Sequence, residues 1–170
     1  MYTVDLQDCI DKMDLECLTP DVDISKIKIT QSDINRPALQ LAGYFEHFAC
    51  ERVQIIGYVE YTYLKNQDKE EKLKNYERFM SSKIPCVIYA SRTEPDEEMY
   101  EMARKYHKPL LFSNRMTSPL MAEVIRWLNV ELAPCISIHG VLVDVYGEGI
   151  LIMGESGIGK SEAALELIKR

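Results

Sequence analysis

The run Gly154-Glu155-Ser156-Gly157-Ile158-Gly159-Lys160-Ser161 constrains this chain more than any other feature. It meets the spacing G-x-x-x-x-G-K-[ST], which makes a phosphate-binding loop when a strand leads in and a helix leads out. Both flanks have that texture. Ile150 to Met153 is apolar and strand-like, and Lys160 to Arg170 carries Ala163, Ala164, Leu167 and Ile168 as a helical packing face. Glycines are needed because several backbone N–H groups must converge on one anion, a curl that side chains obstruct. The helix start adds the positive end of its dipole. In such a loop Lys160 reaches the outer phosphates and the Ser161 hydroxyl ligates Mg²⁺. The bland alternative is a glycine-rich turn with no ligand.

Upstream, helix and strand patterns alternate. Leu6, Ile10 and Met13 predict a helix over about 5–13, and Lys26 to Thr30 alternates like a strand with one buried face. A loop with Asn35-Arg36-Pro37 follows, then strands at Val53–Gly57, Pro85–Ala90 and Leu110–Phe112. Charged residues from Asp68 to Met80 read as a surface helix, and Pro95 to Tyr106 as another, its start favoured by proline and acids. A further helix begins near Thr117 or Ser118, presents Leu120, Val124, Trp127 and Leu128 on one face, and ends before Pro134. This order implies an α/β domain over residues 1–132. From 133 the texture turns β-rich, with runs at Cys135–His139, Val141–Tyr146 and Ile150–Met153, and a hairpin turn expected at Gly147-Glu148-Gly149.

Composition narrows the partners. Twenty Lys and Arg against 27 Asp and Glu give a net charge of −7, which disfavours sequence-independent contact with nucleic acid. The five cysteines form no C-x-x-C pair and are odd in number, as reduced thiols of a cytoplasmic protein would be. No apolar run reaches the ~18 residues of a membrane span. A phosphate loop normally works with an acid from a neighbouring strand. Only Glu162 to Arg170 follow Ser161, so the chain is expected to stop within its second domain (133–170) and to be inactive alone.

Further segments carry a family resemblance: Ser32 to Phe45, Glu51-Arg-Val-Gln54, Leu132-Ala-Pro134, and His139-Gly-Val-Leu-Val-Asp-Val-Tyr-Gly147 leading through the loop to Arg170. The chain resembles the N-terminal portion of HPr kinase/phosphorylase. The resemblance implies an N-terminal α/β domain with a mixed sheet, like a Mur ligase domain, followed by the start of a kinase domain like phosphoenolpyruvate carboxykinase. It implies a homohexamer that phosphorylates a serine of the phosphocarrier HPr with ATP or pyrophosphate and Mg²⁺, and removes that group with inorganic phosphate. By this resemblance Gly154 to Ser161 bind the nucleotide phosphates, Ser161 holds Mg²⁺, and Lys160 and His139 are catalytic. A carboxylate base would come from an acidic pair beyond Arg170. Spacing alone leaves His139 open between a structural histidine and a proton carrier. Asp144 is open between a metal helper and a solvated strand residue. Asn35 and Arg36 are open between a ligand or subunit contact and a turn.

Overall fold

A computed structural model describes residues 2–169, and the chain divides into two compact units, Met1–Ala133 and Pro134–Arg170. The first unit runs β1 (Val4–Asp5), α1 (Leu6–Met13), β2 (Glu16–Cys17), β3 (Lys28–Ile29), β4 (Ile34–Asn35), α2 (Ala38–Leu41), β5 (Val53–Ile56), α3 (Tyr58–Lys65), α4 (Lys69–Met80), β6 (Val87–Ala90), α5 (Glu97–Lys105), β7 (Leu110–Ser113) and α6 (Thr117–Glu131). Five strands make one mixed sheet in the order β2-β7-β6-β5-β4. β4 to β7 pair in parallel, and β2 closes one edge antiparallel to β7. The α/β class, expected from the alternation, and the mixed sheet, implied by the resemblance, are borne out.

The sheet is covered on both faces, which is why its central strands read as unbroken apolar runs. Alternation along each strand divides the side chains between two cores. Val53, Ile55, Cys86, Ile88, Ala90 and Leu111 share one core with Leu6, Cys9, Ile10 and Met13 of α1 and Leu120, Val124 and Leu128 of α6. Ile56, Val87, Tyr89 and Leu110 share the other with Leu64, Tyr76, Phe79, Met80, Met99 and Ala103 from α3, α4 and α5. Helix starts follow local chemistry. Asp68 accepts hydrogen bonds from the N–H groups of Glu70 and Glu71, and Asp96 from that of Met99, so each acid caps its helix.

Gln54 is a fully buried polar residue inside β5. Its Oε1 accepts from Asn35 Nδ2 at 2.8 Å, and its Nε2 donates to the carbonyls of Arg52 at 2.6 Å and Ala49 at 3.2 Å. One buried amide therefore ties the edge strand β4 and the approach to β5 together. Asn35, expected in the loop with Arg36 and Pro37, belongs to the strand Ile34–Asn35 for this reason.

Three other expectations change. Tyr58–Lys65, for which the spacing predicts no element, is helical. Its start is fixed by Glu60, 3% exposed, whose Oε2 accepts from the Gly57 N–H at 3.0 Å and from Arg36 Nη2 at 2.7 Å. Only Lys28 and Ile29 of the 26–30 run pair as strand. Cys135–His139 forms no strand, because apolar alternation makes a ladder only where a partner strand offers its N–H and C=O groups.

None of the five cysteines is in a disulfide. Burial pushes the Cys9 thiol up to about 12 and the Cys86 thiol well above its usual range. Among the described residues no helix is long and apolar enough to cross a membrane.

Candidate functional site

The second unit is a hairpin followed by the glycine-rich loop and a helix: β8 (Gly140–Val145), β9 (Glu148–Met153) and α7 (Lys160–Ile168). The hairpin turn is Tyr146-Gly147, one residue earlier than the expected Gly147–Gly149. Both residues have positive φ, 56° and 86°, the geometry of a two-residue turn that matches strand twist. Asp144 Oδ1 accepts from the Gly147 N–H at 2.9 Å and holds the turn, so the structure uses Asp144 as a turn residue. The ladder pairs Val145 with Glu148 at the turn and Gly140 with Met153 at the open end. Gly140 is required there, since a Cβ would stand 2.9 Å from both the Ile152 carbonyl oxygen and Leu151 Cδ1.

That register decides the geometry of the site. Gly140 and Met153 face each other, so the residues next to them, His139 and Gly154, emerge at the same end of the hairpin. His139 is exposed. Gly154, Glu155, Ser156, Gly157 and Ile158 follow as exposed loop, and Gly159 is half-buried. Gly157 (φ 83°) and Gly159 (φ 94°) take the left-handed region, a backbone conformation from which N–H groups can converge on an anion. Gly159 is also the residue from which α7 starts, so the positive end of the helix dipole lies at the end of the loop.

Lys160 is 9% exposed and folds back on the loop. Its ammonium donates to the carbonyl oxygens of Gly154 at 2.9 Å and Glu155 at 2.6 Å. The lysine thus ties the start of α7 to the start of the loop and keeps its charge against the loop backbone. Ser161 is exposed in the first turn of α7. Helix α7 packs against β8, with Val143 and Ala164 as the buried apolar residues of this unit. Of the expected packing face, Ala163, Leu167 and Ile168 are exposed. Arg170, the expected last residue of the helix, lies outside the described residues.

One residue carries a signal that motif spacing passes over. Glu162, an acid in the first turn of α7, has Oε2 3.8 Å from where a Cβ on Gly159 would lie, so a carboxylate borders the loop next to Ser161. Among the described residues no group of three or more His, Cys, Asp or Glu could cage a metal ion. The Ser161 hydroxyl and the Glu162 carboxylate are both hard oxygen donors, the kind that Mg²⁺ takes. Asn35 and Arg36, the other open candidates, are engaged inside the first unit with Gln54 and Glu60.

The chain matches the family described as HPr Serine kinase N terminus over residues 4–128, and HPr Serine kinase C-terminal domain over residues 130–170. It is 59% identical to the HPr kinase/phosphorylase of Lachnoclostridium phytofermentans over 170 residues, covering 100% of this chain and 55% of that protein. Against the HPr kinase/phosphorylase of Caldicellulosiruptor bescii the identity is 48%, with 100% and 55% covered. Against that of Clostridium acetobutylicum it is 44%, with 98% and 54% covered. The chain spans about half the length of these relatives. A solved structure of the CBS and DRTGG domains of the regulatory region of Clostridium perfringens pyrophosphatase is similar at a TM-score of 0.44 and 16% identity, over 76% of this chain and 47% of that one. Nothing follows for this chain from so distant a likeness.

Proposed function

Because the chain belongs to the HPr serine kinase family, we propose that its Gly154–Ser161 loop binds the phosphates of ATP or pyrophosphate in an enzyme that phosphorylates a serine of HPr and reverses that step with inorganic phosphate. The observation that carries the reading is the left-handed backbone of Gly157 and Gly159 leading into α7, with Lys160 held on the loop at 9% exposure. In the forward direction the bond between the γ-phosphorus and the β,γ-bridging oxygen breaks, and a bond from phosphorus to the serine Oγ forms. The serine proton leaves to a base. In the reverse direction an oxygen of inorganic phosphate bonds to the phosphoserine phosphorus, the bond from phosphorus to the serine Oγ breaks, the Oγ takes a proton back from the acid form of the base, and the joined phosphates leave as pyrophosphate.

Little covalent work falls to the protein in such a transfer, so positioning and charge stabilisation dominate. The loop amides would orient the β and γ phosphates. Lys160 would exchange its two carbonyl contacts for phosphate oxygens and offset the charge of the transferred group. Ser161 would hold Mg²⁺, which would supply positive charge to offset that of the phosphates. His139, at the same end of the hairpin as Gly154, would exchange a proton near neutral pH. A cytoplasmic homohexamer acting on HPr completes the proposal.

Titrating the chain with ATP or pyrophosphate in the presence of Mg²⁺, by calorimetry, tests the loop. Lys160→Ala is expected to weaken binding by at least about tenfold, the order of one charge-assisted hydrogen bond. Equal affinity in wild type and variant, or no binding in either, would sink the assignment.

A further inference from the structure

The first unit has a cleft of about 280 Å³ outside the carboxyl ends of its parallel strands. Each of the four strands sends residues that follow it there: Arg36 after β4, Tyr58 after β5, Ser91 after β6, and Met116, Thr117 and Ser118 after β7. The topology opens this space. Helix α3 leaves the edge toward the core that holds Leu64, and α6 toward the opposite core that holds Leu120 and Val124. The connections leading to them therefore part, and in open α/β sheets ligands lodge in such a crevice.

Among the residues that line the cleft, Arg36 carries the one charge. Its partner Glu60 lies outside the lining, 3% exposed, and takes one N–H from Arg36 Nη2 at 2.7 Å. As a pair the two are neutral, but the carboxylate is buried while the arginine side chain is 40% exposed. An incoming group therefore meets the cationic end. A guanidinium holds five N–H donors in a planar fork, and Glu60 fixes the head through one of them. The Thr117 hydroxyl is held beside it. A Cβ on Gly57 would stand 2.8 Å from Thr117 Oγ1 and 3.3 Å from Arg36 Nη2, so both groups close on one spot that glycine leaves open. Ser118 adds a second hydroxyl, and Tyr58, Val59 and Met116 make an exposed apolar rim.

We propose that this cleft binds a small molecule with one oxyanion group, phosphate or carboxylate, on an apolar body. Arg36 takes two of the oxygens through its fork, the Thr117 and Ser118 hydroxyls donate to the same group, and the apolar body lies against Tyr58 and Met116. The site shares no residue with Gly154–Ser161, so it stands independently of the nucleotide assignment.

Phenyl phosphate and benzoate are suitable probes, each joining an oxyanion to a ring. Inorganic phosphate lacks the ring and benzyl alcohol lacks the charge. Titrations of the 170-residue chain followed by amide NMR report on each residue, which separates this cleft from the glycine-rich loop. At least one of the two probes should shift Tyr58, Ser91, Thr117 and Ser118 saturably, and the tighter one identifies the oxyanion. Benzyl alcohol and inorganic phosphate should bind at least about tenfold more weakly. Arg36→Lys, which keeps the charge and loses the fork, should also weaken the probes about tenfold. Ser118→Glu is the second variant. An acid in the first turn favours α6, so this protein should melt no lower than wild type, yet its carboxylate should weaken both probes by at least about tenfold. Equal affinity in Ser118→Glu, equal affinity for benzyl alcohol, or saturable shifts confined to Gly154–Ser161 would overturn the proposal.

Discussion

Gln54 sits in a strand whose neighbours are all apolar, and it satisfies its own amide by taking a side chain from β4 and two carbonyls from the preceding turn. Replacing it by leucine keeps the volume and strands those partners. Gln54→Leu is expected to destabilise the chain by about 1–3 kcal/mol, the cost of leaving buried polar groups unpaired. Urea unfolding of the two proteins checks this. An unchanged midpoint would mean the amide is dispensable. The same residue marks a limit of sequence reading. Gln54 stands in an apolar run without a signal for its partners, because Asn35 is joined to it only by the pairing of β4 with β5. At the loop the order is reversed. Gly154, Gly159, Lys160 and Ser161 are visible as spacing, since the curl is local to eight residues, but the bonds from Lys160 to the Gly154 and Glu155 carbonyls depend on a rotamer that spacing does not encode.

At the scale of elements, Asp96 is where two helices meet. It caps α5, accepts from Tyr76 of α4, and pairs with Lys72 of the same helix. Asp96→Ala should lower stability by about 2–4 kcal/mol, a helix cap plus a buried hydroxyl left unpaired. Asp96→Asn should recover much of it. Denaturant melts of both variants test the claim, and a loss confined to a few tenths of a kcal/mol for alanine would contradict it. Elements declared themselves in the sequence when their own residues supplied the signal. β5, β6 and β7 are buried on both faces and read as apolar runs, and α4 and α5 begin at visible caps. Helix α3 was hidden by Tyr58-Val59-Glu60-Tyr61-Thr62-Tyr63, residues that favour strands in isolation. Its start depends on the Glu60 carboxylate receiving Arg36 from another element. Strands β2 and β4 are two residues long, each with one polar residue, so only tertiary pairing makes them strands. In the hairpin, the two glycines at 147 and 149 point to a turn, but the register is set by which side chains face α7, and that moves the turn to Tyr146.

For the molecule as a whole, charge sets the pH limits. Hydrogen bonds from Lys105 and Tyr106 hold the Glu77 carboxyl below its ordinary 4.5, and a hydrogen bond from Lys69 does the same for Glu98. A carboxyl with a depressed folded-state pKa contributes stability that is complete above its unfolded value and lost as pH falls through the folded one. Stability should therefore hold from neutral pH down to about 4.5 and decline below it, with a shallower decline in Glu77→Gln. The contribution is small because the pair is exposed, and salt should reduce it further. Melting temperatures across pH 3–7 at two ionic strengths provide the check. An acid decline identical in Glu77→Gln would remove this carboxyl from the account.

The strand order β4, β5, β6, β7 across the sheet repeats their order along the chain. As the polypeptide leaves the ribosome, each parallel strand can dock on one already made, separated from it only by its own crossover helix. Strand β2 is the exception. Glu16 and Cys17 are synthesised early yet pair with Phe112 and Leu111, so this edge stays open until β7 emerges. In a nascent chain, β2 is the segment left waiting longest, and the one a chaperone would find exposed.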